Sequence, residues 1–346
     1  MVSPDPATLH WSLMPDTAPL TRTEIRRLRS RLLAWYDATH RDLPWRRGPW
    51  ARDPYAIWVS EVMLQQTQVA VVVPFYERFL ARFPKIQHLA AAGEADVLAL
   101  WSGLGYYRRA RQLRAAAIEV CRRWDGNLPS SRAALMELPG IGRYTAGAVL
   151  SLAHGLVVPA VDGNVVRVYR RLRRSPSAPL GLIENSIVPW IDDLRPGDFN
   201  QGLMELGARI CTPRAPQCRA CPLHAGCRTR GEGSQLAGKK PVLRRLNPRY
   251  ALWQRPTRTG TAVALVQRSA TATVMPGLWE LPTHHGTGEV LGVVTHAITT
   301  SRIRAEIVAP SSDTPRPLAV WMHREKALAA PLTGLARKVL RRFLAW

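Results

Sequence analysis

The chain has 346 residues and a formal net charge of +23, with 48 lysine and arginine residues against 25 acidic ones. Its hydrophobic content of 46% excludes a disordered basic tail, and its length suggests about two domains. A charge surplus of this size attracts polyanions, with nucleic acid as the first candidate and a plain basic surface as the alternative.

Membrane and secretory features are not found in the sequence. No apolar run reaches the roughly 18–20 residues that cross a membrane. Residues 1–21 lack the basic and apolar regions of a secretory signal and are predicted to be a flexible tail. The five cysteines are too few and too unevenly placed for a disulfide scaffold, so we expect a cytoplasmic protein in a reducing compartment.

Helical periodicity extends from Leu28 to about Leu206, with glycine or proline between the periodic segments. Asp53 followed by Pro54 is a typical helix start, and this helix is predicted to continue through Leu64. Further helices are predicted over Glu94–Trp101, Tyr107–Trp124, Ser131–Glu137 and Arg143–His154.

The pattern changes in the last third of the chain. Residues 231–248 are rich in Gly, Ser, Gln, Lys and Pro, which predicts a linker. Short β-rich runs then predict strands, and the chain ends in a predicted helix. These segments are Ala262–Val266, Glu289–Val294, Arg302–Val308 and the helix Thr333–Leu344. We therefore expect a mainly helical region over 22–230 and a small α+β domain over 249–346.

Four of the five cysteines lie within 17 residues, in the pattern Cys211-x6-Cys218-x2-Cys221-x5-Cys227. Four thiolates suit tetrahedral zinc or a 4Fe–4S cluster. Ordinary zinc ribbons pair two short CxxC hooks across a longer gap, so this spacing is atypical for zinc. Cys121 stands apart and is interpreted as a core residue of a helix.

Two predicted helices are joined by Leu138-Pro139-Gly140-Ile141-Gly142. Two glycines allow a tight turn and a close approach to a ligand, and the next helix offers free backbone N–H groups at its start. This arrangement is suited to binding a phosphate of nucleic acid without reading its sequence. An ordinary helix–helix turn is the alternative.

Two carboxylates are candidates for acid–base chemistry. Glu61 lies in the apolar and uncharged stretch Trp58–Thr67, where burial would favour its protonated form and allow it to act as a general acid. Asp162 follows the apolar run Leu156–Val161 and precedes Gly163. The alternatives are a solvated helix residue for Glu61 and a plain helix N-cap for Asp162.

Taken together, these segments resemble the MutY-type adenine DNA glycosylases of the helix-hairpin-helix superfamily, which also holds endonuclease III. The matching segments are LPWR (Leu43–Arg46), PYAIWVSEVMLQQTQV (Pro54–Val69), LWSGLGYYRRAR (Leu100–Arg111), LPGIGRYTAGA (Leu138–Ala148), VDGNVVRV (Val161–Val168), NQGLMELGARICTP (Asn200–Pro213) and the cysteine pattern. The resemblance covers nearly all of residues 25–230. MPGLWELP (Met275–Pro282) is similar to part of the family's Nudix-like C-terminal domain.

The resemblance implies a mainly α helix-hairpin-helix glycosylase core with a 4Fe–4S cluster loop at 211–227, and a small α+β Nudix-like lesion-recognition domain. It implies that the four cysteines hold the cluster. The implied partner is double-stranded DNA with adenine opposite 8-oxoguanine or guanine, bound by a monomer. The adenine would be swung out of the duplex before its glycosidic bond is hydrolysed.

The resemblance also implies roles for individual residues. Glu61 would protonate adenine N7, and Asp162 would stabilise the oxocarbenium-like sugar by charge or by a transient covalent bond. Tyr144 and Asn164 would orient this centre. The remaining implied positions are the adenine pocket (Arg41, Leu43, Trp45 and Glu205), the residues entering the base stack (Gln66 and Tyr106) and the phosphate-binding hairpin (Leu138, Pro139, Gly140, Ile141 and Gly142).

The superfamily's glycosylase-lyases carry a lysine after the hairpin, and the corresponding position here is Tyr144. No lysine occurs from Ile86 to Gly238. Arginine cannot replace it, because the guanidinium stays protonated and is a poor nucleophile. We therefore expect base excision without efficient strand cleavage.

Two departures concern the C-terminal domain. The glutamate-rich Nudix hydrolase signature is absent after Gly277, so the domain is not expected to hydrolyse nucleotides. The family's aromatic-Ser/Thr-His element is matched only by His296–Ser301, where Ile298 and Thr300 replace the aromatic residue and the histidine. Thr299 still offers a hydroxyl to the lesion. The degree of preference for 8-oxoguanine over guanine therefore stays open.

Three alternatives are retained from the sequence. A mismatch-specific thymine glycosylase of the same superfamily shares the cysteines and the tyrosine. A non-catalytic, cluster-stabilised DNA-binding protein would make Glu61 and Asp162 dispensable. A zinc-binding module is disfavoured by the cysteine spacing.

Overall fold

The computed structural model describes residues 19–231, 243–258, 260–298, 301–311 and 318–346. The described chain divides into two compact units. The first comprises residues 19–42, 130–132 and 141–231, and the second comprises 43–129, 133–140 and the described residues from 243 onwards. The second unit therefore takes in residues on both sides of the segment predicted as a linker.

Thirteen α-helices are present in the described ranges, and six of them lie where individual helices were predicted. In chain order they are α1 (Arg22–Thr39), α2 (Pro54–Leu64), α3 (Val69–Arg82), α4 (Ile86–Ala91), α5 (Glu94–Trp101), α6 (Arg108–Trp124), α7 (Arg132–Met136), α8 (Arg143–Leu152), α9 (Gly163–Leu172), α10 (Leu180–Ile187), α11 (Pro196–Arg209), α12 (Arg324–Ala329) and α13 (Gly334–Leu344). The mainly helical fold with a small C-terminal α/β region is confirmed. No helix of the described part is long and apolar enough to cross a membrane.

Side-chain caps explain where several helices begin. The Asp53 carboxylate accepts hydrogen bonds from the backbone N–H groups of Tyr55 and Ala56, at 2.8 and 3.1 Å, and Pro54 occupies the first position of α2. Thr21 and Glu24 form a reciprocal capping box at the start of α1. The predicted start of α2 is therefore confirmed with its mechanism.

The core of the first unit lies between α1, α9, α10 and α11 and includes Leu32, Val165 and Phe199. Helices α9 and α11 approach each other closely at Gly207. A Cβ on this residue would lie only 2.6 Å from the Cβ of Asn164. A glycine at this position of α11 therefore fixes the spacing beside the Asp162–Asn164 segment.

Eight strands form two sheets in the described C-terminal residues. They are β1 (Arg244–Leu246), β2 (Arg249–Ala251), β3 (Gln254–Thr257), β4 (Gly260–Gln267), β5 (Trp279–Glu280), β6 (Gly288–Ile298), β7 (Ser301–Pro310) and β8 (Val320–His323). In one sheet β7 pairs with β1 and β2 in parallel and with β6 antiparallel. In the other, β4 pairs antiparallel with β3, β5 and β8.

One part of the predicted linker is ordered structure. Arg244–Leu246 forms β1, which pairs in parallel with Ser301–Ile303 of β7. A three-residue strand with two exposed arginines has too short an alternation to be recognised in the sequence. The linker prediction is therefore wrong for these three residues, while residues 232–242 lie outside the described ranges.

Within the second unit, the C-terminal residues contact the segment around α5 and α6. The hydroxyls of Ser102 and Tyr107 both donate to the Leu332 carbonyl, at 2.8 and 3.1 Å. The Arg111 guanidinium donates to the carbonyl of Pro276, at 2.5 Å. Pro276 belongs to the segment Met275–Pro282, so this segment contributes to packing inside the unit.

Candidate active site

Asp162 is the N-cap of α9 and is half-buried. Its Oδ1 accepts from the Val165 backbone N–H at 2.8 Å, and its Oδ2 accepts from Asn164 Nδ2 at 2.6 Å. Burial raises the pKa of Asp162, although the hydrogen bonds from Val165 and Asn164 act in the opposite direction. Asp162 therefore does act as an N-cap. The same position places a carboxyl with a raised pKa at the start of α9.

Arg167, which sequence reasoning missed, holds Asn164 in place. Its Nη2 donates to Asn164 Oδ1 and to the Gly207 carbonyl, both at 2.7 Å. Its Nε donates to the carbonyl of Cys211 at 2.8 Å. A single side chain therefore connects the partner of Asp162 to the first cysteine of the cysteine pattern.

Arg171, one turn further along α9, is 5% exposed and holds the same loop. It donates to the carbonyls of Thr212 and Pro213, at 2.7 and 2.9 Å, and its Nη1 lies 3.4 Å from Cys211 Sγ. The signal in the sequence is two arginines four residues apart, which share one face of a helix. That spacing predicts that Arg167 and Arg171 point in the same direction, but it does not predict which groups they bind.

Tyr144 stands in the first turn of α8, in the same unit as Asp162. Its hydroxyl donates to the thioether sulfur of Met204 on α11, at 3.2 Å. The side chain is half-buried. This tyrosine occupies the position where a lyase would need a lysine amine.

Arg41 and Glu205, two predicted pocket residues, are brought together by the fold. Glu205 is 1% exposed on α11, and Arg41 donates to both of its oxygens, from Nε at 2.7 Å and from Nη2 at 2.9 Å. Arg209 lies 3.6 Å from the same carboxylate. A bidentate pair with a buried carboxylate fixes the orientation of both groups.

Glu61, Leu43 and Trp45 belong to the second unit, and all three are 6% exposed. Glu61 lies in α2 between buried residues on both sides in sequence. The alternative that Glu61 is a solvated helix residue is therefore wrong. The Trp45 ring packs edge-on against Tyr76, with 5.3 Å between ring centroids.

Gln66 and Tyr106 are both exposed and both adopt positive φ, at 57° and 50°. Gln66 lies two residues after the end of α2, and Tyr106 lies two residues before the start of α6. Backbone conformations of this kind in residues with a Cβ are concentrated at functional sites.

The loop between α7 and α8 has the features expected of a ligand-binding turn. Leu138 and Ile141 are buried, whereas the two glycines are exposed. Gly140 has a φ of 79°, and a Cβ there would lie 2.8 Å from the Cβ of Gln112. Gly142 is the N-cap of α8 and, as a glycine, has no side chain that could cap the first turn.

The four clustered cysteines are free thiols that line one cavity together with Arg171, His224 and Thr229. Burial raises the pKa of Cys218, and it raises that of Cys221 to about 11. In the described ranges, no three His, Cys, Asp or Glu side chains are placed to hold one metal ion. The donor set itself, four thiols around a common space, suits an iron–sulfur cluster.

Thr299 lies outside the described residues. The strands on either side of it are antiparallel, with Ile298 opposite Ser301.

Comparisons with known proteins point to DNA base excision repair proteins. A family model for the HhH-GPD superfamily base excision DNA repair protein matches residues 59–187. The chain is 44% identical to the mouse adenine DNA glycosylase over 248 residues, which is 67% of this chain and 47% of that protein. It is 43% identical to the adenine DNA glycosylase of Mycolicibacterium smegmatis over 205 residues, which is 58% of this chain and 69% of that protein. The chain thus spans less than half the length of its mouse relative.

Two solved structures share the fold of the helical part. A thermostable thymine-DNA glycosylase matches with a TM-score of 0.56 and 29% identity, over 60% of this chain and 97% of that chain. An endonuclease III trapped on DNA matches with a TM-score of 0.54 and 25% identity, over 61% of this chain and 98% of that chain.

Proposed function

The chain belongs to the adenine DNA glycosylase family of HhH-GPD base excision DNA repair proteins, and from this premise we propose that it removes adenine from mispaired double-stranded DNA. The reaction is hydrolysis of the N-glycosidic bond. The observation that carries the proposal is the burial of Glu61, a carboxyl at 6% exposure in an apolar helix. Burial of a carboxyl costs free energy, and ionisable side chains in such settings are concentrated at functional sites.

Glu61 acts as the general acid in this proposal. Adenine is a poor leaving group as an anion, and a proton donated to N7 lets it leave neutral. A carboxyl shielded from water holds its proton more readily near neutral pH and transfers it to a base that enters the same environment. The enzyme thereby lowers the barrier to breaking the bond between base and sugar.

Asp162 stabilises the positive charge that develops on the sugar. Its two oxygens accept from Val165 and Asn164 in the first unit, and a carboxylate has capacity for further contacts beyond these two. The hydrogen bonds hold the charge in a fixed direction, so little reorganisation is needed when the sugar becomes cationic. Tyr144 and Asn164 orient this centre.

The remaining predicted residues take part in extracting and holding the base. The pair of Arg41 with Glu205, together with Leu43 and Trp45, is proposed to line the adenine pocket. Gln66 and Tyr106 are proposed to fill the space left in the base stack, which offsets part of the unstacking cost. The loop Leu138–Gly142 is proposed to hold a DNA phosphate at the start of α8, so binding should weaken steeply with salt.

The four clustered cysteines are proposed to hold a 4Fe–4S cluster. When bound, the cluster supplies a structural crosslink within residues 211–227. The chain's own contribution is the pair Arg167 and Arg171, which hold the Cys211–Pro213 backbone through carbonyl contacts.

Metal analysis is expected to return about four iron and four sulfide per chain in protein purified without oxygen. A Cys218→Ser variant should lose most of this content, whereas Cys121→Ser should keep it, because Cys121 lies on α6 outside the pattern. One zinc per chain, with no sulfide, would contradict the cluster proposal.

The substrate is proposed to be adenine opposite 8-oxoguanine or guanine, acted on by a monomer at the chromosome. Under single-turnover conditions we expect adenine release from both duplexes. We expect no release of thymine from a duplex with thymine opposite guanine, although one structural relative is named a thymine-DNA glycosylase. Release of thymine but not adenine would overturn the proposal in favour of that alternative.

The same reactions, analysed with and without alkali, test for strand cleavage. We expect nicks only after alkali and no borohydride-trapped adduct, because Tyr144 replaces the lyase lysine and no lysine lies between Ile86 and Gly238. Prompt nicking together with a trapped adduct would show that another amine attacks the sugar.

A further inference from the structure

Two short loops of the second unit carry exposed side chains on unfavourable backbone conformations. Gln66 and Tyr106 have φ values of 57° and 50°, and Tyr106 is 39% exposed. A residue with a Cβ keeps such a conformation only where its surroundings determine it. The contacts that fix these two loops are therefore expected nearby.

Arg109 supplies contacts to both loops. Its Nη2 donates to Thr67 Oγ1 at 3.1 Å in one loop and to the Gly105 carbonyl at 3.2 Å in the other. Its Nη1 lies 2.5–2.9 Å from three carbonyls at the end of α2 and just beyond it. These are the carbonyls of Val62, Met63 and Gln65.

The surroundings of Arg109 are otherwise apolar and aromatic. The residue is 7% exposed, and its guanidinium carbon lies 5.1 Å from the Tyr106 ring and 5.6 Å from the Trp101 ring. In the described residues its hydrogen-bond acceptors are all neutral. Burial lowers the pKa of Arg109 to about 10, so it stays charged at neutral pH.

A buried cation without a carboxylate partner contributes little to the stability of the fold, because neutral acceptors offset only part of its desolvation cost. Its guanidinium, however, spreads five donors over three nitrogens in a fixed plane and so bonds both segments with a defined geometry, whereas the three donors of a lysine share one nitrogen. The arrangement thus favours a role in setting geometry.

We propose that Arg109 is a positioning residue that fixes the Gln65–Thr67 and Gly105–Tyr106 segments relative to each other, so that Gln66 and Tyr106 enter the base stack as one unit. The inference rests on the proposed function, since it concerns how the stack is opened. Arg109 itself touches neither the base nor the reacting sugar in this proposal.

The test compares two duplexes that both contain adenine opposite 8-oxoguanine. In the first, the flanking pairs are matched, so the adenine must be unstacked by the protein. In the second, both flanking pairs are mismatched, so the adenine is already loosely stacked. Arg109→Met is expected to lose about 100-fold in single-turnover rate on the first duplex, the size of effect that small misplacements cause. On the second duplex it is expected to lose much less.

A fluorescent readout separates positioning from folding. With 2-aminopurine beside the 8-oxoguanine, binding of the wild type should raise the fluorescence as the stack opens. Arg109→Met should bind the duplex without this rise. Adding Arg109→Met to a Gln66→Ala/Tyr106→Ala variant should cause little further loss of rate, because the positioned side chains are already gone.

Arg122→Met is the matched control. It removes the same charge from α6, but in the described residues Arg122 pairs with Glu119 at the surface, so the rates on both duplexes should match the wild type. If Arg109→Met does not fold, Arg109→Lys is used in the same comparisons. Lysine keeps the positive charge and lacks the planar guanidinium group.

Equal losses on the two duplexes, or a full fluorescence rise with the variant, would overturn the positioning role. A wild type that releases adenine from neither duplex would instead overturn the proposed function. The two failures are therefore distinguishable.

Discussion

Glu61→Gln is expected to lower the single-turnover rate of adenine excision by about 10²–10⁴-fold, the range typical for loss of a general acid. Glutamine has nearly the same shape, so α2 should pack as before, but its amide cannot donate a proton to N7. Affinity for the mispaired duplex should stay close to that of the wild type. The measurement pairs single-turnover kinetics with fluorescence anisotropy on the same duplex.

Glu77→Gln provides the control for this substitution. Glu77 lies on α3 in the same unit and is exposed, so the same chemical change there should leave the rate unaltered. Undiminished excision by Glu61→Gln would remove Glu61 from the mechanism. Binding of the mispaired duplex without adenine release, by both the wild type and Glu61→Gln, would instead favour the non-catalytic DNA-binding alternative.

The helices that carry the candidate site could be predicted from local signals. Asp53 and Pro54 mark the start of α2, and Asp162 followed by Gly163 marks the start of α9, because caps act within one turn of the chain. The glycines of the α7–α8 turn were also recognisable locally, because a turn of this kind requires a positive φ, which Gly140 adopts. The sequence therefore located Glu61, Asp162 and the hairpin without tertiary information.

The arginines that organise these segments could not be assigned in the same way. Arg109, Arg167 and Arg171 each reach across to another element and bind backbone carbonyls, which every residue type presents. A chain with 48 basic residues offers no local sign of which ones are buried. Their partners follow only from how the helices pack.

Strand β1 escaped prediction for a different reason. Its three residues gain their pairing from β7, more than fifty positions later, and two of them are exposed arginines. Strand formation at such a site depends on the partner edge and not on the alternation of the segment itself. The neighbouring β6 and β7, which are long and partly buried, carried enough pattern to be predicted.

Asp162→Asn is expected to lower the excision rate by about 10²–10³-fold, as for loss of a preorganised charge that stabilises a transition state. Asparagine is also a good N-cap, so it should still accept from the Val165 N–H. It cannot accept from Asn164 Nδ2 at its own amide nitrogen, which costs about 1 kcal/mol. The substitution also removes a buried negative charge, and the desolvation free energy saved in this way raises the stability of the folded protein. The free energy of unfolding should therefore change by no more than about 1 kcal/mol.

The pH dependence gives this prediction a second readout. Because burial raises the pKa of Asp162, the folded protein binds the proton more tightly than the unfolded chain does. Above its raised pKa, ionised Asp162 lowers the free energy of unfolding. This loss of stability disappears as the pH falls through the raised pKa. Excision needs the ionised form, so the wild-type rate should fall in the same window. Asp162→Asn should lack both effects.

Asp192→Asn is the matched control, since Asp192 also accepts from two backbone N–H groups, those of Leu194 and Arg195, in the same unit. The control should retain the wild-type rate and its pH profile, because the change affects a turn and the 3.9 Å ion pair with Arg29, not the Asp162–Asn164 segment. An Asp162→Asn variant that keeps the acid limb of the rate profile would assign that limb to another group. Such a result would separate the capping role of Asp162, which the hydrogen bonds establish, from the chemical role proposed for its charge.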